Sequence, residues 1–99
     1  MQSFSVVIVG AGPGGLACAR LLAEHGLDVL VLERKNVIGP KVCGGGITWA
    51  GLIKRVPKHL VDGAFPSQHI SSNYQQTVIK AQDPIVATIH REVLGKWML

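Results

Sequence analysis

Three glycines, Gly10, Gly12 and Gly15, and one carboxylate, Glu33, are the residues of this 99-residue chain whose types and spacing best suit them to hold a ligand. The pattern G-x-G-x-x-G turns main chain rather than side chain toward an anion. Gly10 permits a tight turn, Gly12 leaves the backbone open to a pyrophosphate, and Gly15 lets a helix pack close to a strand. Amides at the start of that helix would donate to phosphate oxygens. Glu33 lies 23 residues beyond Gly10, where a carboxylate can accept hydrogen bonds from a ribose diol and would repel a 2′-phosphate.

Such a loop works only if the right elements flank it, and they are legible. "FSVVIVG" is a short run of β-branched residues ending in glycine and reads as a fully buried central strand. "LACARLLAEHG" repeats Leu16, Ala19 and Ala23 at helical spacing, with Gly26 placed to end the helix. "LDVLVLER" is a second apolar strand. Strand, glycine turn, helix and strand within about 30 residues make the βαβ unit of a dinucleotide-binding fold, here residues 4–33.

The form VxIVGAGPGGLxxAxxLxxxGxxVxVLER, placed at the N-terminus, resembles the FAD-binding start of glutathione-reductase-type and aromatic-hydroxylase-type flavoproteins. Pro13 and Gly14 belong to this loop. A flavin is longer than its ADP half, and its ring must lie against some further stretch of main chain. "PKVCGGGI" supplies one: without a Cβ at Gly44, Gly45 or Gly46, backbone amides can approach a ring, and Gly39 and Pro40 turn the chain into place. Cys43 is either a thiol near that ring or a small residue suited to a tight loop. A reactive thiol needs a neighbouring cation or helix N-terminus, and Lys41 is the adjacent candidate.

"ERKNVIGPKVCGGGI" also resembles the segment after the second strand in the geranylgeranyl reductase family, whose members carry a similar K-x-C-G-G-G/A pattern. Residues 4–47 carry that likeness. It implies an FAD-dependent oxidoreductase of aromatic-hydroxylase-type fold that reduces isoprenoid C=C bonds, with a hydrophobic substrate. A weaker likeness lies in "ATIHREVLGKWML", which implies that Arg91 opens a helix and contacts FAD. The family often has phenylalanine and an acid where this chain has Val93 and Leu94. The candidate cofactor-binding set is thus Gly10, Gly12, Pro13, Gly14, Gly15, Glu33, Arg34, Lys41, Cys43, Gly44, Gly45 and Arg91. No catalytic residue is assigned, Cys43 being the one candidate.

Between these segments, "TWAGLIKRV" and "PKHLVDGAF" read as two short helices. "QQTVIK" and "IVATIH" read as a hairpin turning at "AQDP", within two or three strands over residues 67–92. The expected class is α/β: a Rossmann-like FAD-binding βαβ unit with a small added hairpin. It divides into the βαβ unit at 4–33, a glycine-rich flavin loop at 39–47, helices and hairpin at 48–90, and the start of a helix at 91–99. Members of the resembled family are several times longer, so the chain is expected to be the N-terminal part of one FAD/NAD(P)-binding domain. Self-association through the uncovered face, where Val93, Trp97, Met98 and Leu99 meet solvent, is then expected.

Composition excludes several other classes. At 47% hydrophobic and 16% charged the chain is globular, and a net charge of +4 is scattered rather than gathered into the basic stripe of a nucleic-acid binder. Cys18 and Cys43 have no CxxC spacing and the four histidines have no metal-ligand spacing, so no metal is expected. Pro13, the glycines and Arg20 interrupt the apolar start well before the ~20 residues of a membrane span. A cytoplasmic location is expected, with peripheral membrane association left open. Three functions stay open: the isoprenoid reductase, a flavin monooxygenase or halogenase of the same fold, and a nucleotide-binding module without turnover.

Overall fold

The structure, a computed structural model, describes residues 1–48 and 53–99. It comprises two compact units, one of Met1–Val42 with Arg91–Leu99 and one of Cys43–His90.

In the first unit, β1 (Val6–Val9) and β2 (Val29–Leu32) pair in parallel, with Val6 opposite Val29 and Val9 opposite Leu32. Parallel neighbours need a crossover. Here it is α1 (Pro13–Glu24), with Gly12 as its N-cap residue and Pro13 in its first turn. Gly26, at φ +79°, ends it as the sequence predicts. Arg20 and Glu24 pair along α1 at 2.8 Å, on an exposed face where the pair adds little. The eight-residue helix α2 (Arg91–Met98) lies against α1. The core holds Ala11, Leu16 and Leu94, and each fully buried leucine contributes about 1.5–3 kcal/mol.

The expectation of a fully buried first strand does not hold. Val7 is 52% and Val9 85% exposed, because among the described residues β1 pairs with β2 alone and α1 covers one face. Along α2, Val93 and Trp97 are exposed while Met98 is half-buried, and Leu99 beyond the helix is exposed.

In the second unit, β3 (Gly46–Thr48) and β4 (Val61–Phe65) both pair antiparallel with β7 (Val86–Ile89), in the order β3-β7-β4. A separate hairpin joins β5 (Ser67–Ser71) to β6 (Gln76–Lys80). Ile47, Val56, Ala87 and Ile89 are buried, Ala87 and Ile89 on one face of β7 as period-2 alternation requires.

Two expectations about this region are corrected. "PKHLVDGAF" is not a helix: only Lys58–Leu60 form a 3-10 turn, and Val61–Phe65 are a strand. Gly63 is a poor helix former, and the segment gains a full ladder with β7 across a bulge at residues 61–63. The other helix expected there, over residues 48–56, falls partly on residues 49–52, outside the described residues. Nor does the hairpin turn at "AQDP". The turn is at residues 72–75, where Ser72 N donates to Gln75 O at 2.7 Å and Ser72 Oγ accepts from Gln75 N at 3.2 Å. Asparagine and serine suit that turn through their local hydrogen bonds, whereas residues 81–84 carry the chain on to β7.

Candidate functional site

The glycine turn is built as its spacing requires. Gly10 sits at φ +104°, a region costly for residues with a Cβ, and its N–H donates to Leu32 O at 2.7 Å. Gly15 lies against the same turn, so that a Cβ on it would overlap the carbonyl oxygen of Gly10 and touch Ile8 Cγ2 at 3.4 Å. Close packing of α1 on β1 is therefore the work of Gly15. A Cβ at Gly12 or Gly14, by contrast, would meet nothing within 4 Å. At these two glycines the space beside the first turn of α1 is open.

Glu33 closes the loop from below. Its Oε2 accepts the Ala11 N–H at 2.8 Å and its Oε1 accepts the Lys35 N–H at 2.9 Å. The Ala11 bond first, and then the Lys35 bond, hold the carboxyl below the usual carboxylate range, with burial opposing. Each oxygen retains a lone pair that can accept a further donor. The sign of the pH effect follows. A folded-state pKa below the unfolded one adds stability above the ordinary carboxylate range, and that stability is lost as pH falls through the depressed value. Wild-type melting temperature is expected to fall more steeply between neutral pH and pH ~3 than that of Glu33→Gln. Parallel pH slopes in scanning calorimetry would contradict this.

A pocket of about 110 Å³ opens on the loop, lined by Gly12, Pro13, Glu33, Lys41 and Arg91 among the expected residues. Ala11, Lys35 and Gly95 line it too and were not expected, and so do Gly39 and Pro40, expected as the turn of the 39–47 loop. Gly95 had one signal in the sequence, a glycine inside a helical stretch where propensity disfavours it. Gly10, Gly14, Gly15 and Arg34 do not line the pocket; Gly10 and Gly15 shape the turn, and Arg34 is exposed. Arg91 lines this pocket, and its Nε is buried with no hydrogen-bond partner among the described residues, an arrangement that is costly for a cationic donor.

Cys43, Gly44 and Gly45 belong to the second unit. Cys43 is exposed, and Gly45 N donates to its Sγ at 3.4 Å. Gly45 is buried at φ +69° against the Ile89 backbone and accepts the Ile89 N–H at 2.9 Å, so this glycine is required by the sheet itself. A Cβ at Gly44 or Gly46 would meet nothing. The assignment of Cys43, Gly44 and Gly45 to a flavin rests on the sequence resemblance.

The α/β fold and this turn define a Rossmann-like unit of the FAD/NAD(P)-binding class. The chain belongs to the Thi4 family, whose profile matches residues 1–96. It is 58% identical over 52 residues to digeranylgeranylglycerophospholipid reductase 2 of Methanopyrus kandleri, covering 52% of this chain and 13% of that protein. It is 47% identical over 58 residues to a thiamine thiazole synthase of Archaeoglobus fulgidus, covering 58% and 22%. The protein FixC of Azorhizobium caulinodans is 32% identical over 110 aligned residues, covering 97% and 25%. The chain thus spans a quarter or less of the length of these relatives. A geranylgeranyl bacteriochlorophyll reductase-like protein of Thermoplasma acidophilum has the same fold, with a TM-score of 0.86 over 99% of this chain and 27% of that one, at 24% identity. The resemblance to geranylgeranyl reductases is borne out, and the thiazole synthases join them as relatives. Among the described residues no helix is long and apolar enough to cross a membrane.

Proposed function

We propose that this chain is the dinucleotide-holding part of an FAD-dependent oxidoreductase of the geranylgeranyl reductase type. The observation that carries the reading is the open cradle at Gly12 and Gly14 in front of α1, with Glu33 anchored beneath it. Gly12, Pro13 and Gly14 would admit the pyrophosphate to the start of α1, where backbone amides and the helix dipole favour negative charge. Glu33 would take the adenosine ribose through its free lone pairs. Lys41 and Arg91 would offer cationic donors to the anionic part, and Arg34, exposed beside Glu33 in sequence, would add positive charge nearby. When bound, FAD supplies hydride transfer, and the protein's part is to hold and orient it and to keep water away. An isoprenoid C=C bond is the proposed substrate group, on the strength of the named reductases among the relatives. Isothermal titration of the 99-residue chain with FAD and with ADP tests the reading; no heat from either ligand would end it.

Glu33→Ala is expected to weaken ADP and FAD alike by about 10- to 100-fold, as loss of a charge-assisted hydrogen bond does. Glu33→Gln, which keeps one acceptor oxygen, should fall between. A titration with unchanged affinity in both variants would remove Glu33 from the ribose.

A further inference from the structure

The loop of residues 38–41 and the helix α2 meet through glycine on both sides. Gly39 adopts φ +109°, and a Cβ on it would lie 2.6 Å from Arg91 O and 2.7 Å from Glu92 Cα. Gly95, one turn further along α2 and buried, answers it: a Cβ there would lie 2.7 Å from Gly39 Cα and 3.1 Å from Gly39 N. Neither site has room for a methyl group, and the obstructing atoms are backbone in every case. Glycine within a short helix weakens it. What this one brings about is a main-chain contact that seats α2 directly on the loop.

The consequence falls on Arg91. Its carbonyl is the atom nearest the space a Gly39 side chain would fill, so the contact sets the backbone from which the guanidinium projects. Gly39, Gly95 and Arg91 line one wall of the pocket in front of Gly12, and Lys35 and Lys41 line it from the loop. Among the described residues Lys35 Nζ donates to Pro40 O, at 3.5 Å, and Arg91 Nε is buried without an acceptor. Glu33, the acid in the same lining, already has both oxygens engaged by the Ala11 and Lys35 amides. A guanidinium N–H held dry and unpaired is costly unless an anion arrives to accept it, and donors fixed in advance bind with less ordering cost.

We propose that Gly39 and Gly95 are positioning residues, a main-chain clasp that presets the Arg91 guanidinium toward a pyrophosphate group in the pocket beside Gly12. The proposal rests on the dinucleotide reading of that pocket and names residues outside its binding motif. They act through Arg91 and the loop, without touching the ligand's chemistry.

The test follows the Arg91 Nε–H signal in ¹⁵N-labelled 99-residue chain, identified by its loss in Arg91→Lys, during titration with inorganic pyrophosphate. In wild type the signal exchanges slowly before any anion is added and shifts saturably with it. In Gly95→Ala, where helix propensity alone would favour α2, the shift is lost and pyrophosphate affinity drops about tenfold, the scale of one charge-assisted bond. The same change adds little in the Arg91→Lys background, because the two residues act on one contact. An identical Arg91 titration in Gly95→Ala, or an equal loss in both backgrounds, overturns the clasp. If Gly95→Ala fails to fold, the wild-type signal still decides: a rapidly exchanging Nε–H, or one unmoved by pyrophosphate, overturns it. Pyrophosphate binding as described without FAD binding would sink the flavin reading and leave the clasp. Full FAD affinity in Gly95→Ala would do the reverse.

Discussion

Gly12→Val is expected to melt close to wild type and to bind neither ADP nor FAD. The two halves of that result have separate causes. Gly12 has an extended backbone at φ −74°, ψ 174°, which any residue adopts, and a Cβ there meets no atom within 4 Å. The folded chain therefore has room for a Cβ there, and the cost of valine to the fold is the modest one its poor N-cap preference sets. The open space is the path proposed for the pyrophosphate, and an isopropyl group at the start of α1 fills it. It would also separate the ligand from the amides that make a helix N-terminus an anion site. The expected loss of affinity is at least about 100-fold, since both contact and approach are blocked. Isothermal titration and a thermal melt on the same sample check it, and a variant that binds normally would show that the cradle does not hold phosphate.

Gly15→Val is expected to fail in the opposite way, by unfolding. Its Cβ would overlap the carbonyl oxygen of Gly10, an atom held by the turn and unable to swing aside as a side-chain end would. Relief requires α1 to lift from β1, which uncovers Leu16 and opens the turn that the Gly10 N–H makes with Leu32 O. Overpacking of this kind typically costs about 1–3 kcal/mol and more against backbone, from a total that in small domains is about 5–15 kcal/mol. Circular dichroism melts should show a large drop in midpoint or no cooperative transition. A melt near wild type would mean that α1 can ride further from the sheet than the packing implies. Two glycines three positions apart in one motif would thus be separated by experiment into one that serves the ligand and one that serves the fold.

The sequence by itself determined the βαβ unit and its turn. Strand, glycine, helix and strand follow one another within a single stretch, and each depends on local properties: β-branched runs, helical spacing, and positive φ at Gly10 and Gly26. The offsets of Gly10, Gly12, Gly15 and Glu33 lay out the turn and the carboxylate beside it for the same reason, since a parallel pair with one crossover returns the end of β2 beside the turn after β1. Hydrophobic pattern does not say which strand pairs with which. "QQTVIK" and "IVATIH" alternate as hairpin partners would, but β7 lies between β3 and β4 and is separated from them by about 40 and 25 residues of chain. Pairings of that kind are chosen by what the second unit can bury, namely Ile47, Ala87 and Ile89, and not by any neighbour in sequence. The clasp of Gly39 on Gly95 is of the same nature. Each glycine alone reads as a turn or a weak point in a helix, and only the tertiary structure, by bringing residues 56 positions apart into backbone contact, makes them a seat for Arg91.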